Sequence, residues 1–155
     1  MLKIFLATFI LNTTITETSS YISQKIEAEE KLIVHKTPTC GCCSKWVDHM
    51  KVNGFLLEAE NHENLLKIKN ELKIDNKYRS CHTAISAEGY FFEGHIPSKY
   101  VSQFLSERNR DAIGLSVPGM PLGSPGMEVD GRFTPYNVFI HYRDGKTEVY
   151  ARIID

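Results

Sequence analysis

Three of the chain's four cysteines stand within four residues, in the run Cys40-Gly41-Cys42-Cys43. The apolar residues 32–34 precede this run, and a stretch with the apolar spacing of a helix follows it. The sequence therefore predicts a strand that leads through a cysteine turn onto the N-terminus of a helix. Such a beginning is typical of α/β proteins, and it brings three sulfur atoms together at one turn.

The apolar patterns further along the chain predict a thioredoxin-like α/β domain. The predicted elements are strands over residues 32–35 and 55–60, helices over 44–53 and 61–73, a hairpin over 83–92 and a helix over 97–107. Their order, β-α-β-α-β-β-α, is the order of the thioredoxin-like fold.

The C-terminal third of the chain extends this predicted fold. Residues 116–137 contain four prolines and four glycines, which predict a long loop without regular structure. Two predicted strands follow, over residues 138–142 and 147–153, and Asp144-Gly145 between them suits a tight turn. The sequence thus predicts a long Pro/Gly/Met loop and an added C-terminal β-hairpin.

Length and charge exclude several classes of partner. With 155 residues, 42% of them hydrophobic, the chain has the size of one globular domain. Its 18 basic and 19 acidic residues nearly cancel, so charge alone favours neither a nucleic acid nor an anionic membrane. We expect a monomer.

The first residues have the pattern of a secretory signal peptide. Lys3 precedes the apolar residues 4–11, and a Ser/Thr-rich segment follows. The apolar run is shorter than the about 20 residues that span a bilayer as a helix. We therefore predict a signal peptide over residues 1–20, a linker over 21–30 and one metal-binding domain over 31–155.

The cysteines allow more than one chemistry. Cys40 and Cys43 have the C-x-x-C spacing of dithiol exchange enzymes, but an extra thiol at Cys42 invites wrong disulfides. Thiolates can instead bridge soft metal ions. In a thioredoxin-like fold, Cys81 lies opposite the turn and adds a fourth sulfur, with His82 beside it. Metal binding, thiol exchange and a structural disulfide framework all stay open, whereas the paired knuckles of structural zinc are missing.

Methionine and histidine provide further candidate ligands. Met120 and Met127 both lie in the predicted loop, and thioether sulfur selects the same soft ion as thiolate, Cu(I). The alternative is that both methionines cap an edge of the core. His95 stands at a strand-to-helix junction, from which it can face the cysteines. The histidines at positions 35, 49, 62 and 141 are interpreted as structural or exposed.

Four stretches of the chain together resemble a known family. They are residues 37–49, 80–84, 93–97 and 113–128, which contain the cysteine turn, Ser80-Cys81-His82, Glu93-Gly94-His95 and the two loop methionines. From residue 34 onward, the chain resembles the bacterial DUF-type metal-binding family that includes the copper-resistance protein CopG. The resemblance implies a periplasmic, thioredoxin-like copper protein that binds metal through the cysteine turn and Cys81.

We therefore expect an exported protein that holds one or more Cu(I) ions and serves copper resistance by sequestration or transfer. A second periplasmic copper carrier or an efflux protein is the expected partner. The alternative is a thiol-disulfide or copper oxidoreductase that uses Cys40 and Cys43. The candidate ligands are Cys40, Cys42, Cys43, Cys81, Met120, Met127, His82 and His95.

Overall fold

A mixed β-sheet of seven strands forms the centre of the computed structural model, which describes residues 31–154. The signal peptide and linker predicted for residues 1–30 lie outside this range. The strands are β1 Lys31–Lys36, β2 Leu56–Asn61, β3 Thr83–Ser86, β4 Phe91–Glu93, β5 Ala112–Ser116, β6 Tyr136–Tyr142 and β7 Thr147–Ile153. The helices are α1 Gly41–Val52, α2 Leu66–Glu71 and α3 Ser98–Glu107, with a 3-10 turn at Asn76–Tyr78.

The sheet has the order β2-β1-β3-β4-β5-β6-β7. Strands β1 and β2 are parallel, as are β4 and β5, and every other neighbouring pair is antiparallel. The predicted order β-α-β-α-β-β-α is confirmed for the elements from β1 to α3. The predicted C-terminal hairpin is also confirmed, as β6 and β7.

Strand β5 was not predicted from the sequence. Its run Ala-Ile-Gly-Leu-Ser is short and carries Gly114 at its centre, and a central glycine weakens a strand pattern. The structure explains this glycine, because a β-carbon at position 114 would collide with the backbone and ring of Phe91 on β4. Close approach between two strands, rather than a turn, requires glycine here.

Helix α1 begins three residues earlier than the sequence pattern indicates. It spans Gly41–Val52 instead of residues 44–53, so Cys42 and Cys43 belong to its first turn. The predicted core face is confirmed, since Trp46, Val47 and Met50 are all buried.

Helix α2 is shorter than predicted. The sequence favours a helix from Asn61 to about residue 73, but Asn61 ends β2, where it pairs with Lys36 of β1. The helix starts only at Leu66, whose backbone N–H is bound by the side chain of Asn64 at 2.7 Å. Leu66 is exposed, and Lys69 is instead the buried residue of this helix.

The main core lies on the sheet face that α1 and α3 cover. Five residues that are register partners across five strands form one buried row under these helices: Val34, Ala84, Phe92, Leu115 and Ile140. Phe92 meets Phe104 of α3 edge to face, with ring centroids 5.7 Å apart. Because side chains alternate along a strand, the neighbours of this row face α2 on the other side of the sheet.

Among residues 31–154, no helix is long and apolar enough to cross a membrane.

Candidate metal centre

All four cysteines meet at the N-terminus of α1, where their sulfur atoms lie within 4.8 Å of one another. Cys42 occupies the middle of this cluster, with its Sγ 3.5 Å from that of Cys40 and 3.9 Å from that of Cys81. Cys40 and Cys43 form a disulfide, while Cys42 and Cys81 are free thiols. The structure therefore unites the four sequence-predicted thiols, in a state in which two of them are oxidised.

The cysteine turn is held by the chain that leads into the helix. The backbone N–H of Cys40 donates to the carbonyl of Thr37 at 3.2 Å, and Cys40 accepts a bond of the same length from the N–H of Ser44. Cys40 is thus the N-cap of α1. The free N–H groups and the positive end of the helix dipole stabilise negative charge at this position, which favours thiolates on reduction.

Cys81 reaches the cluster from the segment before β3. Burial raises the pKa of its thiol to about 12, and the nearby Cys42 sulfur adds to this shift. Cys81 is therefore a neutral thiol in this state. Its Sγ lies 3.1 Å from Nε2 of His95 and 3.4 Å from Nδ1 of His82.

His95 is oriented by the long loop. Its Nδ1 lies 2.8 Å from the carbonyl oxygen of Pro125, which can only accept, so Nδ1 carries the ring proton. Nε2 then carries a lone pair, which accepts a hydrogen bond from the thiol of Cys81. The side chain is fully buried, and burial lowers its pKa, which keeps the ring neutral. A neutral imidazole with a free nitrogen that faces a sulfur cluster is a ready metal ligand.

His82 is packed between two rings. Its ring centroid lies 4.5 Å from that of Trp46 and 5.0 Å from that of His95. The ring is completely buried, and burial holds its pKa well below the ordinary value. Within residues 31–154, its Nε2 has no hydrogen-bond partner. An unpaired nitrogen on a fully buried ring is unusual in a purely structural histidine, and Nδ1 of the same ring is the nitrogen that lies near the Cys81 sulfur.

The long loop lies against the start of α1 and against His95. Gly126 has φ +86°, and a β-carbon there would lie 2.6 Å from the carbonyl oxygen of Cys42 and 2.9 Å from the backbone nitrogen of Trp46. The loop backbone therefore touches the first turn of α1. Met127, next to this contact, is half-buried, whereas Met120 is 52% exposed. The structure places both methionines in this bordering loop.

A buried charged network that the sequence analysis missed positions Cys81. The Glu93 carboxylate is fully buried and is bound by Lys69 Nζ, by the Thr83 hydroxyl at 2.6 Å and by the backbone N–H of Ser80 at 2.6 Å. Burial raises the pKa of Glu93, and Lys69 opposes that shift. Lys69 stands four residues after the buried Leu65, which places both residues on the same face of a helix. A lysine on this apolar face was the signal in the sequence that could have predicted the network.

Comparison with known proteins identifies the family. Two solved structures, titled as forms 2 and 1 of the copper resistance protein CopG, are each 37% identical to the chain. Each alignment covers 81% of this chain and 98% of the other, with TM-scores of 0.76 and 0.75. The chain belongs to the CopG family. Residues 78–127 also match the family described as "Protein of unknown function, DUF411", and no curated protein matches.

The match to DUF411 covers only part of the centre in this CopG-family protein. It includes Cys81, His82 and His95, together with both loop methionines, but it begins at residue 78, after the cysteine turn. The alignments with the CopG structures cover more of the chain, 81% of it. The family resemblance seen in the sequence is thereby confirmed.

The contact at Gly126 predicts a local stability difference within the loop. Gly126→Ala adds both left-handed strain and a collision with the Cys42 carbonyl, whereas Gly131→Ala, at φ +66° with open space around it, adds strain alone. Strain costs about 1–2 kcal/mol, and overpacking adds about 1–3 kcal/mol. Urea denaturation should therefore show a larger loss for Gly126→Ala. Equal losses for the two variants would contradict the close contact.

The buried network predicts a strong effect of a single lysine. Lys69→Ala leaves the Glu93 carboxylate buried and unpaired, so we expect a loss of about 3–5 kcal/mol in the free energy of unfolding. The matched control is Lys67→Ala on the same helix, whose exposed pair with Glu71 spans 4.0 Å and should matter by less than about 1 kcal/mol. The double change Lys69→Met with Glu93→Gln should recover part of the loss. A Lys69→Ala cost no larger than the control would refute this role.

Proposed function

We propose that this protein binds Cu(I) through Cys40, Cys42, Cys43 and Cys81 and serves copper resistance or copper handling. The observation that carries the proposal is the convergence of four sulfur atoms within 4.8 Å. Thiolates are the ligands that Cu(I) prefers, and four of them can bridge more than one ion. The likeness to CopG, which is titled a copper resistance protein, supports the same assignment.

Copper binding by all four cysteines requires the reduced protein. An external thiol reductant, which is itself oxidised to a disulfide, supplies the two electrons and two protons that convert the Cys40–Cys43 disulfide into two thiols. Each thiol then loses its proton when it binds the ion, because the thiolate is the ligand. The N-terminus of α1 stabilises these negative charges, and the buried Cys81 gives up its proton only in exchange for metal.

His95, His82, Met120 and Met127 complete or shield the copper site in this proposal. His95 has the best support, since its Nε2 already faces Cys81 at 3.1 Å. For His82, the support is Nδ1, which lies 3.4 Å from the Cys81 sulfur, together with the unpaired Nε2 of the same buried ring. The methionines are supported by their place in the bordering loop and by the softness of thioether sulfur.

The proposal includes a thioredoxin-like core and an exported protein. Strands in the order β2-β1-β3-β4, with β1 and β2 parallel and the next two antiparallel, support the thioredoxin-like arrangement. Export to the periplasm rests on the signal-like pattern of residues 1–20. A monomer that passes copper to a periplasmic carrier or efflux protein by ligand exchange fits these assignments.

A second candidate function is thiol-disulfide or copper oxidoreduction. The disulfide between Cys40 and Cys43 at the start of a helix favours it, because dithiol exchange enzymes use such a pair. Cys42 lies 3.5 Å from Cys40, close enough to exchange with that disulfide.

Anaerobic titration of the reduced full chain with Cu(I), against a competing chelator, tests copper binding. Cys42→Ser and Cys81→Ser should each weaken Cu(I) binding by more than the about 10–100-fold typical of lost outer-shell contacts. His95→Gln should weaken it measurably, whereas His49→Gln, whose ring accepts from the N–H of Ser98 at 3.1 Å, should not. Binding that is unchanged in Cys42→Ser and Cys81→Ser would refute the site.

Insulin reduction tests the oxidoreductase. The copper-binding proposal expects no turnover by the full chain in the presence of a copper chelator. Turnover that persists under chelation and disappears in Cys40→Ser, but not in Cys81→Ser, would instead establish dithiol exchange as the function.

A further inference from the structure

A second cluster of ligand-type side chains lies outside the cysteine centre. His35 Nδ1 is 2.9 Å from His62 Nε2, and Glu60 Oε2 is 3.3 Å from the first nitrogen and 3.6 Å from the second. None of these residues belongs to the cysteine cluster or to the group formed by Cys81 and its two histidines. The copper-binding proposal makes no use of them.

Parallel strand pairing brings the three side chains together. His35 near the end of β1 is the register partner of Glu60 on β2, and register partners in a parallel pair point to the same face. His62 follows Glu60 by two residues, and its backbone N–H still bonds to the Lys36 carbonyl at 2.9 Å. Alternation then returns its side chain to the same face. That face is opposite the buried side chain of Val34.

The three atoms have the spacing of a metal-ligand triangle. Bonds of about 2.0–2.1 Å to a tetrahedral ion place two ligand atoms roughly 3.3–3.4 Å apart. The observed separations of 2.9, 3.3 and 3.6 Å bracket that value. A small adjustment of exposed side chains is enough to equalise them.

The three ligand atoms of this cluster converge on one point. A hydrogen bond between two neutral imidazoles uses one proton, yet a carboxylate oxygen also converges on the same point. Burial lowers the pKa of His35, and His62 contributes to that shift while Glu60 opposes it. A metal cation with three or more coordination positions would bind the lone pairs of all three side chains at once.

Access and ligand type are also those of a metal site. The side chain of His35 is only 13% exposed, whereas those of Glu60 and His62 are 46% and 31% exposed. The inner histidine is thus fixed by the sheet, and the outer side leaves room for water as a fourth ligand. Two imidazoles and a carboxylate suit borderline divalent ions rather than soft Cu(I).

We propose that His35, Glu60 and His62 form a binding site for a divalent ion of the Zn²⁺ type at the carboxyl ends of β1 and β2. His35 binds through Nδ1, His62 through Nε2 and Glu60 through one carboxylate oxygen. The ring protons then reside on His35 Nε2 and His62 Nδ1, on the sides away from the ion.

Zn²⁺ titration of the full chain with all four cysteines replaced by serine tests this site. We expect His35→Gln, His62→Gln and Glu60→Gln each to weaken Zn²⁺ binding by at least about tenfold, the lower end of what a lost outer-shell contact gives. Glu58→Gln is the matched control, because Glu58 lies on the same strand and face, paired with Lys31 at 2.8 Å. Binding that is equal in all five proteins would overturn the proposal.

A second measurement covers failure of the four-serine protein to fold. In the otherwise unchanged chain with Cys40 and Cys43 oxidised, Zn²⁺ should raise the melting temperature, and part of that rise should vanish in His62→Gln but persist in Glu58→Gln. An equal rise in both variants would exclude the site. Either result is independent of Cu(I) binding by the cysteines, so the two proposals fail separately.

Discussion

The buried carboxylate of Glu93 connects the parts of the fold that create the cysteine centre. It stands at the end of β4 and is bound by α2 through Lys69, by β3 through Thr83 and by the chain before β3 through the N–H of Ser80. An ionised pair in the interior is tolerated only when its remaining hydrogen-bonding capacity is met, as it is here. Because Ser80 immediately precedes Cys81, this network determines where the fourth sulfur lies.

Two groups of ligand-type side chains lie in different regions of the described fold. The soft sulfurs lie at the start of α1, where backbone N–H groups and the helix dipole favour negative charge. The harder set, with two imidazoles and one carboxylate, lies at the ends of β1 and β2. The parallel strands β1 and β2 direct their carboxyl ends to the same edge, which brings the imidazoles and the carboxylate together, while the turn after β1 leads to the cysteines.

The amount that sequence could predict depended on how local each signal was. The strand, cysteine turn and helix were found because their pattern is contained in residues 32–53. The meeting of Cys81 with the turn followed from the order of elements. Strand β5 was missed because the glycine at position 114 is required by the close approach of Phe91 on the neighbouring strand, which the local sequence does not show. The His35–Glu60 contact depends on the register of two parallel strands, which no spacing along the chain reveals. The burial of Lys69 was not predicted, because a lysine in a helix is normally exposed.

The carbonyl oxygen of Pro125 determines which nitrogen of the His95 ring carries the proton. By holding Nδ1 of His95, it leaves Nε2 as the nitrogen of that ring that faces the Cys81 sulfur. Cys42, which lies far earlier in the chain, touches the same loop through Gly126. The irregular loop thus fixes the tautomer of the His95 imidazole. A backbone oxygen suits this role better than the oxygen of a mobile side chain, because its position is set by the fold.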